Sequence, residues 1–307
     1  MTLLHSPTEL KPADRKICVA IGFFDGVHLG HQQIIRQTIT DARQHDAIAL
    51  VITFDAHPNT VVALNRVPPL IYSLPQKLRA IESLGADALL LIHFDKPFSE
   101  QTGEAFIRGL ARDLNHIQSL CVGNNFLFGH KRGGNVALLK KLGEELNFAL
   151  HGLSAVSLDG KAVSSTRIRE TIKAGNLDVA SQMLGRAYSL AGPVIRGDAV
   201  GRKLGFPTAN IDVTGLALPP NGVYVVQARA SGKIHRAVLN IGLRPTLQDP
   251  NPNLRVETHL LDFAGDLYGQ ELELIFVEKL RDEKKFDSLA ELRDQITRDI
   301  RDAQSRF

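Results

Sequence analysis

Two histidines, His28 and His31, stand in the run GFFDGVHLGH (22–31), directly after the apolar stretch Ile17-Cys18-Val19-Ala20-Ile21 and before a segment carrying Ile34, Ile35 and Ile39. A buried strand that empties into a Gly-containing turn and then a helix gathers main-chain N–H groups and the positive helix end at one point, where phosphate oxygens can be held. The two imidazoles fall at that point. The same residues also read as an ordinary turn with two solvated histidines. Far downstream, Ser164-Ser165-Thr166-Arg167-Ile168-Arg169 offers three hydroxyls and two guanidinium groups at a helix start, a second dense set of phosphate donors. Alone it reads equally as an N-cap followed by a solvated basic face, but two such clusters on one domain coincide by chance far less readily than either occurs.

The elements that would position them alternate. Segments 47–54, 88–93 and 117–122 are apolar and strand-like, and 76–84, 102–110 and 136–146 have helical spacing, the last with Leu138, Leu139, Leu142 and Leu146 on one face. Strands alternating with helices predict a parallel sheet covered on both faces, with ligands beyond the carboxyl ends of the strands. The loops 22–31, 55–58 and 123–134 should therefore open onto one edge. After Ser164 the spacing of Ile168 and Ile172 predicts a helix, and a second runs from Asn176 to a Gly185 stop.

At Tyr188 the pattern changes. From 189 to 277 short strands follow one another without helices: 223–230 and 234–241 flank Ser231-Gly232-Lys233, a hairpin signal, and 258–263 and 271–277 add two more. Pro-bearing loops are expected at 206–210 and 244–252. This predicts a compact antiparallel barrel. Ser288 and Glu291 form a capping-box pattern opening a last helix whose apolar face is Leu289, Leu292, Ile296 and Ile300.

With 307 residues, two domains are expected, 1–186 and 187–307. No segment approaches the roughly 20 apolar residues of a membrane span, and the N-terminus lacks a basic-then-apolar signal pattern. Cys18 and Cys121 lie in apolar stretches, which suits reduced thiols in a cytoplasmic protein. Net charge is +3 without a basic stripe, and aromatics are 6% with no Trp, so small anionic ligands are expected rather than nucleic acid or membrane. Self-association stays open.

HLGH with SSTRIR resembles the paired signature of the nucleotidyltransferase superfamily, and GFFDGVHLGH and GNNFLFGHKRGG look like its bacterial FAD synthetase branch. GRKLGFPTANI, PPNGVYVV, LNIGLRPT and VETHLLDF resemble a riboflavin kinase module. The likeness covers nearly the whole chain and implies the bifunctional prokaryotic riboflavin kinase/FMN adenylyltransferase family: a Rossmann-like α/β nucleotidyltransferase domain, then a kinase β-barrel with a terminal helix. It implies that riboflavin and ATP give FMN in the barrel, and that FMN and ATP give FAD and pyrophosphate in the first domain, both steps with Mg²⁺.

Carried over by position, His28 and His31 would bind the ATP phosphates and stabilise charge at the α-phosphorus, with Ser165, Thr166 and Arg169 holding phosphates from the other side. Asn125 would help place nucleotide or flavin phosphate, and the turn Gly22, Phe24, Asp25, Gly26 would bring the backbone close to ATP. In the kinase half the resemblance assigns Glu257 as base, Thr208 and Asn210 as Mg²⁺ ligands, and Gly201, Lys203, Gly205 and Pro207 as the nucleotide loop. By themselves, Glu257 reads as an exposed strand glutamate and PTAN as a turn. Two positions depart from the pattern: Ala56 precedes His57 where Pro is common, and Leu127 stands where a basic residue is frequent. His57 reads as a ligand-side residue or as a turn histidine. An adenylyltransferase with a non-catalytic flavin-binding barrel is the alternative.

Overall fold

A computed structural model describes residues 1–10, 15–197, 200–243 and 254–307. The loop expected at 244–252 lies outside them. Contacts divide the chain into two compact units, 1–69 with 74–165, and 70–73 with 166–307.

The first unit is built on a parallel sheet of six strands, β1 (Thr2–Leu4), β2 (Ile17–Ile21), β3 (Ile48–Phe54), β4 (Ala88–Ile92), β5 (Ile117–Gly123) and β6 (Ala149–Leu153), in the order β1-β4-β3-β2-β5-β6. Side chains of a strand alternate between faces, and both faces are apolar here. Ile17, Val19 and Ile21 join one core layer with Ile107, Leu110, Leu139 and Leu142. Cys18 and Ala20 join another with Ile35, Ile39 and Ile81. Helices Gly103–Leu114 and Val136–Leu146 therefore cover one face, and Leu29–Gln44 and Leu74–Glu82 the other. The strand order reverses between β2 and β5, so the crevice at their carboxyl ends is the place where an open α/β sheet takes its ligand.

A two-residue hairpin, β7 (Ser157–Leu158) with β8 (Lys161–Ala162), precedes the helix Ser165–Lys173. That helix and Leu177–Leu184 pack in the second unit, although the sequence pattern set the domain boundary at 186/187. Ser181 Oγ accepts from the Tyr188 N–H at 3.0 Å, and Tyr72 Oη accepts from Arg186 Nε at 2.9 Å, which ties 70–73 and the second helix to the start of the barrel.

The barrel is closed by β9 (Ser189–Ile195), β10 (Ala209–Ile211), β11 (Gly222–Ala230), β12 (Lys233–Leu243), β13 (Leu254–Leu260) and β14 (Glu271–Arg281), all pairs antiparallel. Strand 209–211, which overlaps the loop expected at 206–210, joins β13 to β9 and removes the open edge. Strand β13 begins at 254 rather than at the expected 258, which places Glu257 inside it. Inward residues Ala237, Leu239, Ile241, Val256 and Leu260 are buried.

The last helix, Leu289–Gln304, is capped as expected, Ser288 Oγ accepting from the Glu291 N–H at 3.2 Å. Its apolar face is not what seats it. Leu289 is 65% exposed, while Gln295 and Asp299 are buried. Arg281 of β14 donates Nε and Nη2 to the two Asp299 carboxylate oxygens at 2.9 and 2.7 Å, and Lys284 Nζ donates to Gln295 Oε1 at 2.8 Å. A polar seam docks the helix and leaves its aliphatic side chains for another task.

Candidate active sites

The turn after β2 is strained. Phe24 has φ 52°, Gly26 φ 74° and Val27 φ 40°. Left-handed backbone at a β-branched residue is costly and persists only where the surroundings over-determine it. Here Val27 N–H donates to the Phe24 carbonyl at 3.0 Å, Gln32 Nε2 donates to the Val27 carbonyl at 2.9 Å, and Thr53 Oγ1 donates to the Phe23 carbonyl at 3.0 Å. The chain then enters the helix Leu29–Gln44, with His28 as its N-cap and His28 Nδ1 accepting from the His31 N–H at 3.4 Å. The two imidazoles stack with centroids 3.5 Å apart. A Cβ on Gly30 would lie 3.3 Å from His28 Cε1, so the glycine leaves room for that ring.

Two members of the turn also have packing roles of their own. Phe24 is buried in the core layer, with its ring edge on His31 at 5.3 Å. Gly22 is required by that same ring, because a Cβ there would stand 2.7 Å from Phe24 Cε1. Asp25 is buried, and its carbonyl accepts from Ser165 Oγ at 3.2 Å, which brings the first residue of SSTRIR's helix to the turn. Thr166 is exposed and Arg169 half-buried on that helix, and both belong to the second unit. Asn125 is exposed in the loop after β5, followed by the stacked rings of Phe126 and Phe128. His57 acts locally: its Nδ1 accepts from the Asn59 N–H at 3.1 Å, and its ring meets Phe23 edge-on at 5.0 Å.

The second site lies on the outer face of the barrel. Glu257 pairs directly with Asn210 of β10 and Asn240 of β12, placing the carboxylate between two amides. Asn240, Glu257, His259 and Val238 line a cavity of about 290 Å³ whose far wall is Leu292, Ile296 and Ile300 of the last helix. Arg255 Nη1 is 3.8 Å from Glu257 Oε1. Thr208 lines this cavity and a smaller one, of about 90 Å³, with Arg202, Pro207 and Tyr268. His259 Nδ1 donates to the Pro207 carbonyl at 2.7 Å, pinning the loop before β10. Gly201 opens the short helix Val200–Lys203 toward that loop: a Cβ would stand 2.4 Å from the Phe206 carbonyl oxygen. Gly205 and Pro207 follow, both exposed, and the Lys203 side chain lies outside the described residues.

Among the described residues no group of three His, Cys, Asp or Glu side chains could hold a metal. Thr208, Asn210 and Glu257 instead offer hydroxyl, amide and carboxylate oxygens, hard donors of the kind Mg²⁺ takes when phosphates complete its shell.

A family model described as FAD synthetase matches residues 10–167, and one described as riboflavin kinase matches residues 184–307. The chain belongs to the bifunctional riboflavin kinase/FMN adenylyltransferase family. Members of that name from Escherichia coli (strain K12) and Buchnera aphidicola are 36% and 33% identical, each alignment covering 100% of this chain and 98% of the relative. The Haemophilus influenzae member is 36% identical over 94% of both chains. A solved structure from Streptococcus pneumoniae named as a macrolide-efflux protein superposes with a TM-score of 0.81 at 27% identity, covering 99% of both chains. Among the described residues of this family member no helix is long and apolar enough to cross a membrane.

Sequence reasoning overlooked Asn240, Leu292, Ile296 and Ile300 as cavity residues, and it overlooked Lys77, discussed below. The helix residues were visible as an apolar stripe, which periodicity alone reads as packing. Nothing in the sequence distinguishes Lys77 from a surface lysine.

Proposed function

We propose that the barrel phosphorylates riboflavin to FMN and that the N-terminal unit adenylylates FMN to FAD, with the functional division at 186/187. The observation that supports the first step is the outer-face cavity, where a carboxylate faces an aliphatic wall. The apolar wall of Leu292, Ile296 and Ile300 suits a flat flavin ring, and Glu257 suits its ribityl end. The terminal alcohol has a pKa far above neutral, so a base is needed. Glu257 takes its proton as the oxygen attacks the γ-phosphorus of ATP, and ADP leaves. Thr208 and Asn210 would hold Mg²⁺, which neutralises charge on the ATP phosphates, and Gly201, Lys203, Gly205 and Pro207 form the nucleotide loop.

FMN needs no base in the second step, because its phosphate has a second pKa of about 6 and arrives as a dianion. Catalysis is then alignment and charge neutralisation. We assign these to the helix N-terminus capped by His28, to His31, and to donors from Ser165, Thr166, Arg169 and Asn125. One FMN phosphate oxygen bonds to the α-phosphorus as the bond to pyrophosphate breaks. Gly22, Phe24, Asp25 and Gly26 would bring the backbone of this turn close to ATP.

Burial pushes the Cys121 thiol up to about 12, which keeps it protonated and inert; the two buried free cysteines suit the cytoplasmic setting we infer. Incubation with riboflavin, ATP and Mg²⁺, followed by flavin separation, should show FMN and then FAD. Unchanged riboflavin would overturn the assignment.

A further inference from the structure

Lys77, on the helix Leu74–Glu82, is only 4% exposed. Lysine is almost never this buried without a task. Its ammonium donates to the Phe54 carbonyl at 2.7 Å and to the Phe23 carbonyl at 3.3 Å, and lies 4.5 Å from the centre of the Phe23 ring. The first acceptor ends β3, and the second opens the strained turn that delivers His28. The Phe23 carbonyl thus receives two donors from outside its own turn, Lys77 Nζ and Thr53 Oγ1. Of the two, only Lys77 carries charge, and charge-assisted hydrogen bonds are roughly twice as strong as neutral ones.

We propose that Lys77 is a positioning residue for adenylyl transfer: its buried ammonium ties the carboxyl ends of β2 and β3 together and holds the turn that presents His28 and His31 to the phosphates. This rests on the reading of the N-terminal site given above.

Burial lowers the Lys77 pKa to about 8, against the opposing pull of Asp25 and Asp55. The charged groups facing it are Asp25 in the turn and Asp55 after β3, the latter bound to His93; His57 lies across the Phe23 ring. The two consequences of losing the proton have opposite signs. Above pH 8 the neutral amine grips the carbonyls more weakly, so FAD formation should fall. Between pH 8 and the ordinary lysine value of 10.5 the unfolded chain binds the proton that the folded one has released, so this group's contribution to stability should rise. A merely structural lysine whose loss loosens the unit would move activity and stability together.

The test measures FAD formation from FMN and ATP, FMN formation from riboflavin, and thermal unfolding, each across the alkaline range, in the unaltered protein, Lys77→Met and Lys77→Arg. Lys77→Met should lose about a hundredfold in FAD turnover, the cost of a small misplacement, and keep riboflavin phosphorylation. It should also lack the alkaline fall in whatever turnover remains, and Lys77→Arg should recover part of the rate. FAD turnover by Lys77→Met at the unaltered rate, or an alkaline fall identical in both, overturns the proposal. Should Lys77→Met fail to fold, the unaltered protein decides: activity falling while stability rises supports the proposal, and any other pairing overturns it. No FAD from the unaltered protein would overturn the reading of the site and this proposal with it, whereas FAD from it with an indifferent Lys77→Met overturns this proposal alone.

Discussion

The imidazole of His28 lies flat on that of His31, with ring centroids 3.5 Å apart and planes inclined by 20°. One ring caps the helix and the other sits on its first turn, so the pair moves as a unit with the helix end. The glycine between them, Gly30, leaves room for the His28 ring.

Gly30→Ala tests that arrangement. Alanine favours a helix by about 1 kcal/mol over glycine, so thermal stability should hold or rise. Its methyl would press on His28 at 3.3 Å, and FAD formation should fall about tenfold, equivalent to about 1.4 kcal/mol of barrel-independent activation energy. Turnover and melting temperature, measured on one preparation, should part company.

Glu257→Gln keeps the shape between Asn210 and Asn240 and removes the base. FMN formation from riboflavin should drop by about 10²–10⁴-fold, while FAD formation from supplied FMN persists. Equal loss of both activities would refute the division of labour.

Asp299→Asn breaks the paired contact with Arg281 that seats the last helix. The expected loss is about 2 kcal/mol, as for a hydrogen bond to a charged group, read from denaturant unfolding. Because Leu292, Ile296 and Ile300 wall the cavity, KM for riboflavin should rise more than kcat falls.

His93 and Asp55 form an ion pair at 2.5 Å at the ends of β4 and β3. The hydrogen bond His93 donates to Asp55 raises the His93 pKa above 6.5, so its contribution is present at lower pH and lost as pH rises through that raised value. Burial alone would raise Asp55, but hydrogen bonds from His93 and the Phe94 N–H outweigh it and hold the carboxyl below 3.8; its contribution is lost as pH falls through that lowered value. The pair is complete only between the two. In His93→Ala, melting temperature should lose its decline at the alkaline end of that window.

Much of this was legible because burial writes itself as apolar runs. Residues 17–21, 47–54, 88–93 and 117–122 mark the four inner strands, and the change at Tyr188 marks the barrel. The edge strands β1 and β6 carry no such run, since β6 is half exposed along its length, and three-residue β10 is too short for any alternation. The histidine turn was legible as a strand-to-helix turn, but the packing of the Phe24 ring over Gly22 was not, because it depends on where one ring turns. Lys77 was illegible for a deeper reason: a buried charge is recognised by its acceptors, and two main-chain carbonyls leave no trace in residue types.

Strands β12 and β13 keep their packing toward the barrel interior on one face and turn the other face to the larger cavity. Ala237, Leu239, Ile241, Val256 and Leu260 face inward; Val238, Asn240, Glu257 and His259 face the cavity. Evolution can therefore retune thermal tolerance through one alternating set of positions on β12 and β13 and substrate preference through the other. A lineage moving to a hotter habitat need not renegotiate its affinity for flavin.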